Sequence, residues 1–217
     1  FWANLFASPK PEAVMPVRAK YDAAQLGDDR RHWANADALS ADAALSPVIR
    51  RQIRNRARYE RNNNSYLAGI SSTLAADLIG TGPRLQLQTG DAAADREIER
   101  GFFDWGWQIN LPVKLRTMRE ALVTDGEVFA LMVTNPRVPG GVQLDVRLLE
   151  AEMVATPTEL MAQSVNLEGN TVDGLEFDTD GNVVAYQVLK YHPGSNYRIN
   201  NLQFSRVPAN QIVHWFR

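Results

Sequence analysis

The residues of this sequence that could do chemistry are acids and arginines. Four carboxylates at the ends of predicted helices and strands could hold two Mg²⁺ ions, as in metal-dependent nucleases: Asp125, Glu127, Glu150 and Glu152. Nothing in their spacing requires them to meet, because such ends commonly carry acids. We therefore predict no catalytic residue and no metal site. The nuclease alternative predicts Mg²⁺-dependent cleavage that is abolished by Asp125→Ala or Glu127→Ala.

Other candidate sites fail on the positions that their chemistry needs. The run Asp178–Asn182 resembles the start of a calcium loop, but Val183 and Leu189 stand where that loop needs a glycine and a bidentate glutamate. The turn Gly80–Pro83 follows a predicted helix and lacks the lysine of a phosphate-binding loop. We expect no cofactor and no nucleotide hydrolysis. The histidines lack metal-ligand spacing: His32, His192 and His214.

A cluster of arginines is the strongest chemical feature. We predict that it contacts DNA or a neighbouring subunit through Arg50, Arg51, Arg54, Arg56, Arg58 and Arg61. At 3.6 residues per turn, four of them form one stripe along a helix: Arg50, Arg54, Arg58 and Arg61. Arg51 lies at the edge of this stripe. Arg56 falls on the opposite side, among Ile49 and Ile53. We expect its guanidinium to need a carboxylate or carbonyl partner from this chain or a neighbour, because an unpaired buried charge is very costly.

Two interpretations of the arginine stripe stay open. It could be a solvated helix face with local ion pairs, each of which contributes little. It could instead be a surface for phosphates or for an acidic partner subunit. The stretch from Leu45 to Gly80 holds few acids to neutralise it, and Glu60 is the one beside the arginines.

The elements that must position these residues follow from apolar spacing and turn signals. Residues 47–79 read as one long helix, or two joined near Asn62–Ser65. The remaining chain reads as a short strand, two helices and several strands: Arg84–Gln88, Asp91–Gln108, Leu111–Thr124, Val128–Thr134, Val142–Glu150, Val172–Phe177, Val183–Tyr191 and Val207–His214. The predicted fold class is α+β, with long N-terminal helices packed on an antiparallel sheet with hairpins.

An aromatic run in the second helix has two interpretations. Phe102–Trp105 could be a platform on which nucleic-acid bases stack. A helical stripe of Ile98, Phe102 and Trp105 is more often part of the core, and we predict the core position.

Composition limits the class of protein. The 217 residues are 45% apolar and carry a net charge of −2, so nucleic-acid binding would need a local patch. There is no cysteine, which suits a reducing cytoplasm. No apolar run is long enough to span a membrane. We predict an N-terminal arm over 1–42 and a body domain over 43–217, and we expect the chain to be a piece of a longer protein.

Several segments, in order, resemble one family. These are Arg50–Arg58 followed by Arg61-Asn62-Asn63, Tyr66 and Gly80-Thr81-Gly82; then Phe102–Trp105; Asp125-Gly126-Glu127; Gly174–Tyr186; and Val207–His214. The arm run from Tyr21 through Trp33 has the same character. Together they resemble the lambda-like family of tailed-bacteriophage portal proteins.

The resemblance implies the N-terminal, mostly wing region of a portal (head–tail connector) subunit of a tailed phage or prophage, truncated before the stem, clip and crown. Such a subunit is structural and not an enzyme. The expected partners are a dodecameric ring of the same chain, terminase, capsid and scaffold proteins, head–tail joining proteins and sequence-independent double-stranded DNA. The expected location is the procapsid vertex of the virion, assembled in the host bacterial cytoplasm.

The alternative is a nucleic-acid-binding module that uses the arginine-rich helix 47–61. A substitution separates the assembly role from a folding role. If the stripe lies at a subunit interface, Arg54→Glu with Arg58→Glu should disrupt ring assembly and leave the subunit folded.

Overall fold

A computed structural model of the chain describes residues 33, 36, 38–156, 170–195 and 203–216. The chain divides into two compact units, Phe1–Ala44 and Leu45–Arg217. In the first unit the described residues include a short helix, α1 (Ala41–Ala44). The predicted N-terminal arm falls mostly outside the described residues. The second unit carries the arginine cluster and is described from here on.

Four helices open the second unit: α2 (Pro47–Asn63), α3 (Ser65–Ile79), α4 (Ala92–Gln108) and α5 (Leu111–Asp125). Of the two alternatives for residues 47–79, the structure confirms two helices joined near Asn62–Ser65. Asn64 separates them, because its backbone is extended and its side chain accepts a hydrogen bond from the Tyr66 N–H at 3.0 Å. An asparagine in this role caps the first turn of the following helix.

The described residues after α5 form seven strands in two antiparallel sheets: β1 (Glu127–Thr134), β2 (Leu144–Leu149), β3 (Asn170–Val172), β4 (Leu175–Phe177), β5 (Val183–Leu189), β6 (Phe204–Pro208) and β7 (Ile212–Phe216). The first sheet has the order β2-β1-β7, and the second has the order β3-β4-β5-β6. The predicted α+β fold is confirmed.

Three strand predictions are wrong. The predicted strand Val207–His214 is divided between β6 and β7 by a 3₁₀ turn at Ala209–Gln211. Arg84–Gln88 forms no strand, because it pairs with no strand among the described residues; the Leu87 N–H instead donates to the carboxylate of Glu99 at 2.8 Å. The predicted strand Val172–Phe177 is split between β3 and β4 by a turn at Asp173 and Gly174, both with positive φ. A side chain at Gly174 would lie 2.6 Å from the backbone nitrogen of Ala155, so this turn requires glycine.

The core has three parts. The largest joins the two sheets around Phe129, Tyr186 and Val188. A second packs Met118 and Leu122 of α5 onto β1. The third lies around Ile109, Leu111 and Val138.

The prediction that Ile98, Phe102 and Trp105 of α4 lie in the core is confirmed for Phe102 and Trp105. Phe102 and Trp105 pack against the third core cluster, and the Trp105 indole N–H donates to the carbonyl of Leu144 at 2.8 Å. Ile98 does not join them, because about half of it is exposed.

Candidate functional site: the arginine helix

The arginine stripe of α2 faces the body of its own chain. Arg54, at its centre, is only 8% exposed, whereas the apolar residues Ile49 and Ile53 are exposed. The helix is thus inverted relative to the usual amphipathic pattern, in which the apolar face packs on the core. Charge, and not apolar contact, determines which side of α2 lies inward.

Arg58 makes the most complete ion pair of the stripe. Its Nε lies 2.8 Å from Oδ1 of Asp125, and one terminal nitrogen lies 2.6 Å from Oδ2. The same terminal nitrogen donates to Oε2 of Glu152 at 2.9 Å. Two parallel N–H···O bonds are the preferred geometry between a guanidinium and a carboxylate, and they fix the arginine in one orientation.

Arg54 lies between the same junction and a second acid. It donates to Oε1 of Glu127 at 2.9 Å and, through Nε, to the backbone carbonyl of Asp125 at 3.3 Å. A further terminal nitrogen lies 3.7 Å from Oε1 of Glu152. A buried guanidinium is tolerated in this position because it has several oxygen partners.

The two ends of the stripe are also paired. Arg50 donates to the carboxylate of Asp173, which lies in the turn between β3 and β4. Arg61 donates to the carboxylate of Glu120 on α5, and its Nε lies 3.3 Å from the hydroxyl of Ser71 on α3. All four stripe arginines therefore connect α2 to other elements of the same unit.

The junction from α5 to β1 presents the central acids. Helix α5 ends at Asp125, Gly126 follows in the left-handed conformation, and β1 begins at Glu127. Glycine is favoured there because a φ of +80° strains other residues. The Asp-Gly-Glu run thus places two carboxylates, on either side of a sharp turn, against α2.

Electrostatic interactions favour the ionised forms of Glu152 and Glu127. Burial alone would raise the pKa of Glu152, but the hydrogen bond and charge of Arg58 outweigh it and hold this pKa below its ordinary value. Burial likewise opposes ionisation of Glu127, and the neighbouring His214 and Arg54 reverse the effect, so its pKa is also lowered. Conversely, the hydrogen bond to Asp125 raises the pKa of Arg58.

Three of the four acids that could have formed a nuclease site do lie together. Asp125, Glu127 and Glu152 surround Arg54 and Arg58, so guanidinium groups occupy the oxygens that a metal pair would need. Glu150 lies apart from these arginines, and its carboxylate is largely exposed. The arrangement suits structural ion pairing.

A possible metal cluster has the wrong hydrogen-bond pattern. Glu150, Glu152 and His192 lie close enough to share an ion. However, Nδ1 of His192 accepts the Gly194 N–H at 3.0 Å. In the neutral ring the proton is then on Nε2, which faces the two carboxylates at 3.5 Å and 3.6 Å. That nitrogen is arranged as a donor and not as a ligand.

The other two arginines lie on the outer side of α2. Arg51 and Arg56 are exposed, and neither has an ion pair with any residue that the structure describes. Arg56 has no carboxylate partner among the described residues of its own chain, because the face around it is open: Ile53 is 51% exposed. A partner from a neighbouring subunit stays a prediction. A contact of the six arginines with DNA or a neighbouring subunit stays a prediction.

Helix α3 is inverted in the same sense. Its small residues Ser71 and Ala75 are buried. Its large apolar residues form a stripe that is exposed to solvent: Tyr66, Ile70, Leu74 and Leu78. A row of large apolar side chains outside the core indicates a surface that another molecule covers.

Sequence reasoning found the arginines but missed most of their partners. The positions of Asp125, Glu127 and Glu152 at predicted helix and strand ends indicate at most a metal site, and nothing in their spacing links them to α2. Asp173 and Glu120 carried no signal, because each is a single acid in an ordinary turn or helix. The clue that was present is the excess of arginine over acid in α2, which requires carboxylates from distant parts of the chain.

Comparison with known proteins agrees with the motifs. The sequence model of the family described as phage portal protein, lambda family, matches residues 27–217. No curated protein matches the chain. None of the described helices is long and apolar enough to cross a membrane. The match spans most of the chain, which therefore belongs to the lambda family of phage portal proteins.

Proposed function

We propose that the protein is a subunit of a portal ring in a tailed phage or prophage. The ring, of about twelve copies, passes double-stranded DNA during packaging and ejection and docks terminase and the tail. In this proposal the subunit is structural, and ATP hydrolysis belongs to the terminase. The ring belongs to the virion vertex and assembles in the host cytoplasm.

Family membership supports the portal role, and the outward apolar faces of α2 and α3 support the ring. A soluble monomer rarely exposes contiguous apolar patches of more than a few hundred Å². Here two consecutive helices expose large apolar residues, including Tyr66 at 83% and Ile53 at 51%. A neighbouring subunit would remove this area from water, with a gain of about 25 cal/mol per Å².

The arginine stripe supports a second part of the proposal. A ring subunit must hold its interface helices in fixed positions, because a displaced helix would misalign every subunit contact of the ring. The ion pairs of Arg50, Arg54, Arg58 and Arg61 fix α2 to α5, β1 and the β3–β4 turn at four points along its length. In this view the stripe is a clamp that orients the outer face.

The mass and negative-stain image of the full chain test the proposal. A ring of about twelve subunits with an axial hole is the expected result. A monodisperse monomer or dimer at micromolar concentration would contradict it.

The alternative, a nucleic-acid-binding module, makes a separate prediction. Because carboxylates of the same unit occupy four of the six arginines, Arg51 and Arg56 are the two of α2 left for phosphates. A portal subunit that contacts DNA only through these two should show a log–log salt slope of about −2. A slope several times steeper would favour the module.

A further inference from the structure

The outer side of α2 forms a shallow groove with a net positive charge. Its lining includes Val48, Arg51, Arg56 and Tyr59, together with the acid Glu60. Both arginines are exposed and lack ion pairs among the described residues. An apolar floor with two guanidinium groups suits an aromatic ring that has a carboxylate beside it.

The outer side of α4 carries such a group. Phe103 and Trp107 are 62% and 73% exposed, and their rings stack with centroids 6.5 Å apart and an interplanar angle of 18°. Asp104 is exposed beside them and lines the same surface. Arg100, one turn earlier, makes no ion pair with Asp104. An exposed tryptophan of this kind is typical of the residues that dominate protein interfaces.

We infer that the α2 groove of one copy binds the Phe103–Trp107 pair of a neighbouring copy, with Arg51 and Arg56 against the rings and Asp104. The inference rests on the proposed ring. A ring of head-to-tail contacts needs two different, complementary patches on each subunit. The groove and the aromatic pair differ in shape and in the sign of their charge, as such a contact requires.

The two patches are not self-complementary. Two grooves facing each other would bring four guanidinium groups together, and two aromatic patches would oppose their Asp104 carboxylates. DNA is a poor occupant of the aromatic patch, because Asp104 repels phosphate. A second copy of the chain satisfies both surfaces at once.

Cysteine cross-linking tests the contact directly, because the chain contains no cysteine of its own. One variant carries Gln52→Cys in the groove and Gln108→Cys beside the aromatic pair, in the full chain. Under mild oxidation each copy should link to two others and give a ladder of covalent multimers. Each single-cysteine variant should give none. Thr179→Cys with Gln108→Cys is the control, since Thr179 lies on an exposed hairpin turn and lines neither patch.

The outcomes separate this inference from the proposed function. A wild-type protein that forms rings, with no ladder from the Gln52/Gln108 variant, overturns the contact and leaves the ring. Dimers from either single-cysteine variant also overturn it, since they indicate a symmetric interface. A wild-type monomer overturns the ring and the contact together.

Substitution gives an independent measurement. Trp107→Ala should weaken assembly by about thirtyfold, as for a central interface tryptophan. Tyr191→Ala, at an exposed aromatic outside both patches, should leave assembly unchanged. Arg56→Glu should weaken assembly, and Asp104→Arg in the same chain should restore part of it. Unchanged assembly in Trp107→Ala overturns the inference.

Discussion

At the scale of single residues, Arg54 is the most constrained cation that the structure describes. It is buried and shares Glu127 and Glu152 with its neighbours. Removing one partner of a buried ion pair leaves uncompensated charge. The helix is thus sensitive at this position and tolerant at Arg56, two residues away on the open face.

The first prediction compares these two positions. Arg54→Met should lower the free energy of unfolding by about 3 kcal/mol, because two carboxylates lose a partner. Arg56→Met should change it by less than about 0.5 kcal/mol, as expected for an exposed site. Urea denaturation of both variants measures the difference. Equal effects would mean that the pairs of Arg54 contribute nothing to stability.

The second prediction concerns pH. Glu127 and Glu152 have pKa values below their ordinary value of 4.5. A carboxylate whose pKa is lowered in the folded state stabilises the fold at pH values above its ordinary pKa. This stability is lost as the pH falls through the folded-state pKa. The free energy of unfolding should therefore decrease as pH falls below about 4.5.

A matched variant identifies the source of that decrease. Glu152→Gln removes one titrating group, so its stability should fall less steeply with decreasing pH than that of the wild type. An identical pH profile for the two proteins would show that Glu152 is not coupled to folding.

At the scale of elements, the α5–β1 junction sets the position of Asp125 and Glu127. Gly126→Ala should cost about 1 kcal/mol, because alanine is strained at a φ of +80° although the space around it is open. Gly101→Ala, in the open face of α4, should instead stabilise by up to about 1 kcal/mol. Thermal unfolding of the two variants checks the opposite signs; two shifts of the same sign would refute the role of backbone conformation.

Local patterns predicted the helices well and the strands less well. Leu115, Met118 and Leu122 are three and four residues apart, a spacing typical of the buried face of a helix, and they do lie in the core on that face of α5. The alternation in Arg84–Gln88 predicted a strand that does not form, since strand formation also needs a partner that a single segment does not encode.

The orientation of α2 could not be predicted from periodicity. Its apolar and arginine faces are both clear in the sequence, and the usual rule places the apolar face inward. The rule is reversed by the carboxylates of Asp125 and Glu127, at the distant α5–β1 junction, and by the carboxylate of Glu152. These residues lie more than 60 positions away in sequence, so their effect appears only in the folded chain.

At the scale of the whole molecule, the clamp and the outer face of α2 should separate folding from assembly. Arg54→Glu with Arg58→Glu brings new carboxylates against Asp125, Glu127 and Glu152. The structure therefore changes the expectation for this variant: it should lose stability as well as assembly. Circular dichroism with thermal melting measures the loss.

The companion variant is Arg51→Glu with Arg56→Glu. Both positions are exposed, so its melting temperature should stay within a few degrees of the wild type. Its ring assembly should be lost, which native mass measures. A stable clamp variant that still forms rings, or an outer-face variant that assembles normally, would contradict this division of roles.

The ionic attachment of α2 also determines how different denaturants act on the protein. Guanidinium chloride is a salt that screens ion pairs, and its cation is the head group of an arginine side chain. It should compete for Asp125, Glu127 and Glu152 before it exposes the core, whereas uncharged urea should not. Stability extrapolated to water should therefore be lower from guanidinium chloride than from urea, and α2 should detach first.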